Sequence, residues 1–319
     1  MAEPWKPADD WDERRGELLA RREEQRRLRS RRRRIAAGVL VLVAASAVAV
    51  VLLASSGGGD HTAVLVPGAG RSRSSGGAGS APSGGAGPVR NSTPQPGWGP
   101  HTGPVPILEY HVLGSPEQAV PYPELYVARP DFHRQMDWLE RAGYQAVTLE
   151  QVEEAWSEGG SLPPKPVVLS FDDGYRPQYT YALPELRRHG WAGVLNLKAE
   201  GSDLYPSNVE AMIAAGWELA AHTIHHLDLT TLDASQLREE TAGARAILRR
   251  EYGVPVRNFC YPAGRFDSTV IAAVKAAGYT GATTEVPGYA SRDRPYELNR
   301  FEVLRSSGVG GVAADLRSG

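Results

Sequence analysis

The sequence predicts an α/β domain built as a distorted or incomplete (β/α) barrel, preceded by one transmembrane helix and a disordered linker. From Pro104 onward, short segments rich in aliphatic and aromatic residues alternate with helical patterns over about 200 residues, and such alternation is typical of a parallel sheet. About seven such units fit a barrel, and an open doubly wound sheet is the alternative. In either architecture the functional site lies at the carboxyl ends of the strands.

The predicted elements follow one another in order from Pro104. The predicted strands are 104–113, Val167–Phe171, Trp191–Leu197, Trp217–Ala221, Arg257–Tyr261, Thr280–Thr284 and Glu297–Val303. The predicted helices are Asp131–Gly143, Leu149–Glu158, Pro177–His189, Ser207–Ala215, Asp233–Tyr252 and Asp267–Ala277. Phe132, Met136 and Leu139 place apolar side chains on one face of the first helix. Pro184 predicts a kink or break in the third.

The chain before the domain carries a membrane signal. Residues 1–34 contain 12 basic and 8 acidic side chains, and Arg31–Arg34 are contiguous. Residues 35–54 contain no charge and no proline, and twenty helical residues span about 30 Å, the thickness of the hydrocarbon layer. The positive-inside rule then predicts a cytoplasmic head, a single-pass plasma-membrane anchor and an extracellular C-terminal domain. A signal peptide cleaved after the small residues 45–47 is the alternative, and a buried core helix is a poorer one.

Composition separates a linker from the domain that follows. Residues 55–103 are mostly Gly, Ser, Pro and Ala, a composition typical of a flexible spacer. Residues 104–319, the predicted catalytic domain, have a net charge of roughly −8, which argues against nucleic-acid binding. Cys260 is the one cysteine, so an intramolecular disulfide is excluded. We expect a monomeric catalytic domain that is held together by a core of ordinary size, with a metal as an additional support.

Three polar segments follow predicted strands. FDDG places Asp172 and Asp173 directly after a buried strand, HTIHH places His222 and His226 four residues apart, and YPAG covers Tyr261–Gly264. Adjacent carboxylates repel each other and resist burial, so a surface turn is one interpretation of FDDG. The barrel architecture instead brings all three segments to one face. One carboxylate and two imidazoles with open positions suit a catalytic zinc or a similar ion.

FDDG, H-T-x-x-H and F-x-Y-P-x-G, in this order, resemble the polysaccharide deacetylases of carbohydrate esterase family 4, the NodB-homology domain. The resemblance covers residues 104 to about 305. It implies a distorted β/α barrel that removes acetyl groups from N-acetylglucosamine polymers by metal-assisted hydrolysis. It also implies that Asp172 is the general base and that Asp173, His222 and His226 bind the metal. Zn²⁺ is the expected ion, although Co²⁺ and Ni²⁺ suit the same ligands.

Two departures from the family pattern change the expected catalytic set. The family's third motif begins with an Arg that pairs with the base, and here Cys260 takes that place. The family's C-terminal Leu-x-His is missing, because no histidine follows His226. However, ILEYH resembles the subgroup with an N-terminal Tyr-His motif, which includes exported poly-N-acetylglucosamine deacetylases, so His111 is the expected general acid. Arg300 in LNRFEV is the expected replacement for the lost Arg, and a plain surface Arg is the alternative.

Strand alternation adds a prediction about the expected acid. Glu109 and His111 are two residues apart, so their side chains face the same side of a strand. A carboxylate beside an imidazole favours the protonated form that an acid catalyst needs. We therefore predict a Glu109–His111 pair, the alternative being a solvated Glu at the domain edge. The backbone N–H of Ala263 is expected to help the metal stabilise the oxyanion.

The sequence therefore predicts a membrane-anchored extracellular metal-dependent deacetylase. Its substrate would be peptidoglycan or poly-N-acetylglucosamine, its product acetate, and its membrane contact residues 35–54. One alternative is an esterase for O-acetyl groups on the same scaffold. Another is a cell-wall glycan-binding protein with weak or no activity. The missing third-motif Arg favours this last alternative, whereas His111 and the complete metal set argue against it.

Overall fold

The computed structural model describes residues 87–116 and 120–317. The predicted head (1–34), the predicted transmembrane segment (35–54) and most of the predicted linker lie outside these ranges. Within them, none of the helices combines the length and apolar character needed to cross a bilayer.

The domain alternates strands and helices along the described chain. The strands are β1 (Gly99–Pro100), β2 (Ile107–Tyr110), β3 (Val112–Leu113), β4 (Tyr126–Val127), β5 (Gln145–Val147), β6 (Ser161–Leu162), β7 (Pro166–Asp172), β8 (Val194–Leu197), β9 (Glu218–Ala221), β10 (Asn258–Cys260), β11 (Gly281–Thr283) and β12 (Phe301–Glu302). The α-helices are α1 (Arg129–Arg141), α2 (Leu149–Ser157), α3 (Leu183–His189), α4 (Pro206–Ala214), α5 (Ala234–Arg238), α6 (Ala244–Tyr252), α7 (Ser268–Ala276) and α8 (Gly308–Asp315).

The main sheet is parallel, as the sequence predicted. Its order is β11-β10-β9-β8-β7-β2-β12, and β5 pairs with the beginning of β7. Each pairing in it runs parallel. All seven residues of β7 are buried, which explains why it reads as a continuous apolar run and not as an alternating one.

The segment 295–303 connects the two ends of this sheet. Leu298 forms a parallel bridge with Thr283 of β11, and three residues later Phe301 pairs with Leu108 of β2. The sheet is therefore curled into a half-barrel, and this segment spans the gap between its two edges. This shape is consistent with the predicted distorted (β/α) barrel. Because Arg300 lies between the bridge and β12, its side chain can reach the interior.

The helices pack on the sheet largely where the apolar spacing predicted them. Phe132, Met136 and Leu139 of α1 are fully buried, and a capping box formed by Thr148 and Gln151 begins α2. The predicted interruption near Pro184 is found: a π-helical segment, Gln178–Ala182, changes to α3 at Leu183, and Pro184 lies in the first turn of α3, where its missing N–H costs nothing.

Two predicted boundaries differ from the structure. The long predicted helix 233–252 is divided by a π-helical segment, Glu239–Gly243, between α5 and α6. The ordered domain also begins before residue 104. Val89 and Asn91 are buried, Asn91 Nδ2 donates to the carbonyl of Ala146, and β1 pairs with β6. The composition of this stretch predicted a spacer. It could not reveal the anchoring contacts, because they are made with residues distant in the sequence.

Candidate active site

The first motif forms a tight turn at the end of β7. Asp172 is the last residue of the strand, and Asp173 and Gly174 follow with φ of 74° and 75°. A Cβ at Gly174 would lie 2.6 Å from Leu197 Cδ1, so this turn requires glycine. The turn keeps both carboxylates at the carboxyl end of the sheet but gives them different neighbours.

Left-handed backbone is concentrated in the three motifs. Among the described residues, five that are not glycine have positive φ, and four of them are Asp173, Thr223, His226 and Ala263. Such conformations cost about 1–3 kcal/mol each and persist where surrounding structure enforces them, often at functional sites. The motif loops are therefore held in conformations that an unconstrained chain would avoid.

Asp173, His222 and His226 form a compact cluster of metal-ligand type. Asp173 Oδ1 lies 3.8 Å from His222 Nε2 and 3.6 Å from His226 Nε2, and the two rings are 4.7 Å apart. His222 Nδ1 lies 2.9 Å from the carbonyl oxygen of Cys260. Since a carbonyl can only accept, Nδ1 bears the hydrogen and Nε2 presents its lone pair to the cluster. Burial lowers the pKa of His222 despite both nearby carboxylates, which favours the neutral, ligating form.

The loop that presents the histidines is fastened by Glu240, a residue that sequence reasoning missed. The backbone N–H groups of Ile224 and His225 donate to Glu240 Oε2 at 2.9 and 3.0 Å. The His226 N–H donates to Thr223 Oγ1 at 2.8 Å. No local motif marks Glu240, because it lies in the π-helical segment and reaches the loop only through the fold.

Lys198 is a second missed residue at the metal-type cluster. Its Nζ lies 3.3 Å from Asp173 Oδ1. Burial raises the pKa of Asp173, but the neighbouring His226, Lys198 and His222 lower it by a larger amount. The net pKa is therefore well below its usual range. Asp173 is therefore an anion that lies beside the Lys198 ammonium and two imidazoles.

Asp172 is held by a separate set of donors. Its Oδ1 accepts from Arg300 Nη1 at 2.9 Å and from Asn196 Nδ2 at 2.6 Å, while its Oδ2 lies 3.4 Å from Cys260 Sγ. Burial raises the pKa of Asp172, but Arg300, followed by His222 and His111, lowers it to a net value below the usual range. The structure therefore keeps Asp172 ionised although it is buried.

Arg300 is completely buried and is fixed at both ends of its guanidinium. Its Nε donates to the carbonyl of Thr284 at 2.8 Å, and Nη1 also donates to Ser170 Oγ at 3.2 Å. Its Nη2 lies 3.2 Å from Glu109 Oε2. The surface-Arg alternative is wrong, because this side chain bridges two buried carboxylates.

Burial raises the pKa of the Cys260 thiol well above its usual range, with Arg300 opposing and Asp172 adding to this effect. The thiol is thus protonated and can donate weakly to Asp172. A cysteine therefore lies where the resemblance expected an Arg, and the guanidinium arrives from another strand.

Glu109 and His111 also lie together, as strand alternation predicted. Glu109 Oε1 is 3.7 Å from His111 Nε2, and Glu109 is completely buried. Burial raises the pKa of Glu109 well above its usual range, and Arg300 opposes this rise. The predicted alternative of a solvated Glu is wrong. Arg300 is a closer partner of Glu109 than His111 is, which the sequence did not indicate.

Two buried polar residues complete this arrangement, Gln178 at the start of the π-helical segment Gln178–Ala182 and Asn196 in β8. Gln178 Nε2 donates to the carbonyls of Asp172 and His111 at 2.6 and 3.0 Å, and so ties the two segments together. Asn196 is a polar residue inside an otherwise apolar strand, a signal that could have identified it. Ala263 lies in the turn after β10 with φ of 53°, and the role of its N–H stays a prediction.

Residues 159–282 match the family model for polysaccharide deacetylases. The Bacillus subtilis (strain 168) protein YxkH, assigned by name to the polysaccharide deacetylases, is 30% identical over 214 residues, 66% of this chain and 74% of that protein. The poly-β-1,6-N-acetyl-D-glucosamine N-deacetylase of Escherichia coli (strain K12) is 38% identical over 95 residues, 30% of this chain and 14% of that protein.

A solved structure shares the fold. The Streptococcus pyogenes deacetylase PplD, in complex with acetate, has a TM-score of 0.63 and 22% identity, and the match covers 67% of this chain and 99% of that chain. The predicted enzyme class, a polysaccharide deacetylase, is thus confirmed by family membership. The chain belongs to the polysaccharide deacetylases, the NodB-homology family of carbohydrate esterase family 4.

Proposed function

We propose that this chain hydrolyses N-acetyl groups of a polysaccharide containing N-acetylglucosamine, with a divalent metal, and releases acetate. The observation on which this rests is the separation of roles between adjacent carboxylates. Asp172 is paired with Arg300 at 2.9 Å, whereas Asp173 faces His222 and His226. One carboxylate can thus serve as a base while the other serves as a ligand.

The cluster of Asp173, His222 and His226 fits a divalent ion. The three ligand atoms lie within 4.8 Å of one another, and His222 has its second nitrogen bonded to a carbonyl, as ligating histidines usually do. One carboxylate and two imidazoles suit zinc and leave open positions for substrate. A divalent ion held there would polarise the acetyl carbonyl and supply positive charge beside the base.

The chain's own residues account for the proton transfers. Asp172, kept ionised by Arg300, accepts a proton from the attacking water as its oxygen bonds to the acetyl carbon. Arg300 and Asn196 fix Oδ1, which orients the carboxylate and leaves Oδ2, beside the weak thiol donor, for the proton. When the C–N bond breaks, the departing nitrogen needs a proton, because an amine anion is a very poor leaving group.

His111 is placed to supply that second proton. Nitrogen and oxygen atoms of His111, Glu109 and Asp172 lie within 4.8 Å of one another. His111 is 8% exposed, so it lies at the edge of the buried network and not deep inside it. The base and the proposed acid therefore lie close enough together to act on the same acetamide.

The substrate class and the location are parts of the same proposal. The name of the Escherichia coli relative, of which this chain covers 14%, supports poly-N-acetylglucosamine, and peptidoglycan presents the same acetamide. The apolar residues 35–54 behind an Arg cluster support a plasma-membrane anchor with the domain outside the cell.

Acetate release by the full chain tests the function. Acetylated glucosamine oligomers and purified peptidoglycan would be compared, with added zinc or with a chelator. We expect zinc-dependent release that Asp172→Asn abolishes while the metal content is unchanged. Release from O-acetylated but not from N-acetylated sugars would instead indicate an esterase. Tight glycan binding without any release would indicate a binding protein.

A further inference from the structure

Two imidazoles and two carboxylates meet on the outer face of helices α1 and α3, apart from the motif residues described above. His133 and Asp137 are four residues apart on α1, and Glu185 and His189 are four residues apart on α3. Residues with this spacing project from one face of a helix. Each helix therefore presents one imidazole and one carboxylate to the other.

A single guanidinium nitrogen lies at the centre of these four side chains. Arg188 Nη2 is 2.5 Å from Asp137 Oδ1, 2.6 Å from Glu185 Oε1, 2.8 Å from His189 Nε2 and 3.4 Å from His133 Nδ1. Nη2 has two hydrogens, so it can donate fully to only two of the four atoms. The four acceptor atoms therefore outnumber the two hydrogens that Nη2 can donate to them.

We propose that His133, Asp137, Glu185 and His189 form a second divalent-metal site, of zinc type, that fastens α1 to α3 when the Arg188 side chain swings outward. This inference does not depend on the proposed function.

His133, Asp137 and Glu185 offer ligand atoms that lie within 4.8 Å of one another, and His189 would move in as the fourth ligand. Two imidazole nitrogens and two carboxylate oxygens are a zinc ligand set, and four ligands match the closed tetrahedral geometry of structural zinc sites. Asp137 and Glu185 supply two negative charges, which a divalent ion balances and one guanidinium does not. The role expected of this ion is therefore structural.

The surroundings of His189 are those of a ligating imidazole. Its ring stacks on Trp191 with centroids 4.6 Å apart, which fixes the plane of the ring. Glu140 Oε2 lies 3.1 Å from Nδ1, on the side away from the centre. This contact lacks hydrogen-bond geometry, but a rotation of the exposed Glu140 side chain would give Nδ1 the carboxylate partner that metal-bound histidines usually have. Nε2 faces Asp137 Oδ1 at 3.7 Å and Glu185 Oε1 at 3.5 Å.

Arg188 can leave the centre without disrupting the core. Its side chain is 45% exposed, whereas that of His189 is 1% exposed. The arginine stem can therefore rotate into solvent while the core stays in place. A displaced arginine would remain near the site as a competing cation and lower the affinity for the metal.

The test counts zinc in the full chain after dialysis against micromolar zinc. The double variant Asp173→Asn/His222→Ala removes the ligands proposed for the catalytic ion, so any remaining zinc must lie elsewhere. We expect this variant to retain one zinc per chain, and to lose it when His133→Ala and Glu185→Gln are added. Substituted Co²⁺ should show the intense visible absorption of a tetrahedral site in the double variant. This absorption should be absent once His133→Ala and Glu185→Gln are added. Zinc should also raise the Tm of the double variant but not that of the variant that carries the two further substitutions.

Arg188→Ala distinguishes a metal site from a simple ion-pair cluster. In the background that lacks the catalytic ligands, we expect it to tighten zinc binding roughly tenfold, because it removes the competing cation. Arg141→Ala is the matched control, since Arg141 contacts Asp137 only at 4.0 Å and from the periphery. The proposal is overturned if no zinc is retained in that background, if retention survives the His133 and Glu185 substitutions, or if Arg188→Ala leaves the affinity unchanged.

Discussion

Arg300 Nη1 lies 2.9 Å from Asp172 Oδ1, and both side chains are buried. The guanidinium comes from the segment that connects the two ends of the sheet, between the Leu298 bridge and β12. The family pattern instead places an Arg at the position of Cys260, on β10. The same charge therefore reaches the same carboxylate from a different strand.

Replacing Arg300 should impair catalysis by disrupting the fixed guanidinium contacts that keep Asp172 oriented and ionised. We expect Arg300→Lys to lower kcat/KM by roughly 100- to 1000-fold, the range for loss of one fixed donor in an active site, because Lys keeps the charge but not the planar fork. Arg300 lowers the pKa of Asp172, so the acidic limb of the pH–rate profile should move to higher pH. Steady-state kinetics between pH 4 and 9 measures both effects.

A relocated arginine is the sharpest control for this role. In Cys260→Arg/Arg300→Ala the guanidinium would approach Asp172 from β10, as in the family pattern. We expect it to recover part of the activity that Arg300→Ala loses, with circular dichroism confirming that both variants are folded. If Arg300→Lys is as active as the wild type with an unmoved acidic limb, Arg300 is not the replacement that the sequence suggested.

Glu109→Gln tests the pair that strand alternation predicted. The carboxylate lies 3.7 Å from His111 Nε2 and 3.2 Å from Arg300 Nη2. If Glu109 acts on catalysis through His111, the basic limb of the kcat/KM profile should move in the variant. An unmoved basic limb would mean that Glu109 serves only to position Arg300.

Metal removal should abolish acetate release, and Lys198 should set how readily the metal is removed. Lys198 Nζ lies 3.3 Å from Asp173 Oδ1, so it competes with a cation for that oxygen. We expect Lys198→Met, which keeps the apolar stem, to bind zinc roughly tenfold more tightly. Calorimetric titration of the chelated protein measures this affinity, with Lys165→Met as a distant control. Weaker zinc binding in Lys198→Met would show that the ammonium supports the site and does not compete with it.

Much of this architecture could be predicted because its signals are local. The buried strand before Asp172, the four-residue spacing of His222 and His226, and the helical faces are all patterns of neighbouring residues. Glu109 and His111 also fall within this range, since alternation along one strand relates them. The sequence therefore located the elements and most of the polar groups at their ends.

What could not be predicted depends on contacts between distant segments. Glu240 holds the histidine loop from a π-helical segment, and Val89 and Asn91 anchor a stretch whose composition is that of a spacer. The preference of Glu109 for Arg300 over His111 likewise requires the curvature that brings β12 beside β2. The periodicity of the sequence cannot predict such contacts, because they depend on how the whole sheet curves.

Several acidic side chains lie together between β9 and α2. They predict that the free energy of unfolding falls as pH rises. Burial raises the pKa of Glu218 to about 8, with the charge of Glu150 adding to the effect, and burial raises that of Glu153 to about 7. The unfolded chain releases these protons near pH 4.5, the ordinary pKa of a glutamate side chain, whereas the folded chain keeps them until pH 7 to 8. The folded state therefore loses stability over this window, by about 1.4 kcal/mol per pH unit for each retained proton.

Glu218→Gln should remove one such contribution. The amide oxygen can still accept from the Glu150 N–H, as Glu218 Oε2 does at 2.9 Å, so the fold should persist. We expect the free energy of unfolding, measured by urea denaturation from pH 5 to 8, to fall less steeply by about 1.4 kcal/mol per pH unit. Glu158→Gln, which removes an exposed carboxylate at the end of α2, controls for the change in net charge. Equal slopes in wild type and Glu218→Gln would mean that Glu218 is ionised in the folded protein, and that its burial is compensated by Asn258 Nδ2 at 3.0 Å and by the backbone donor.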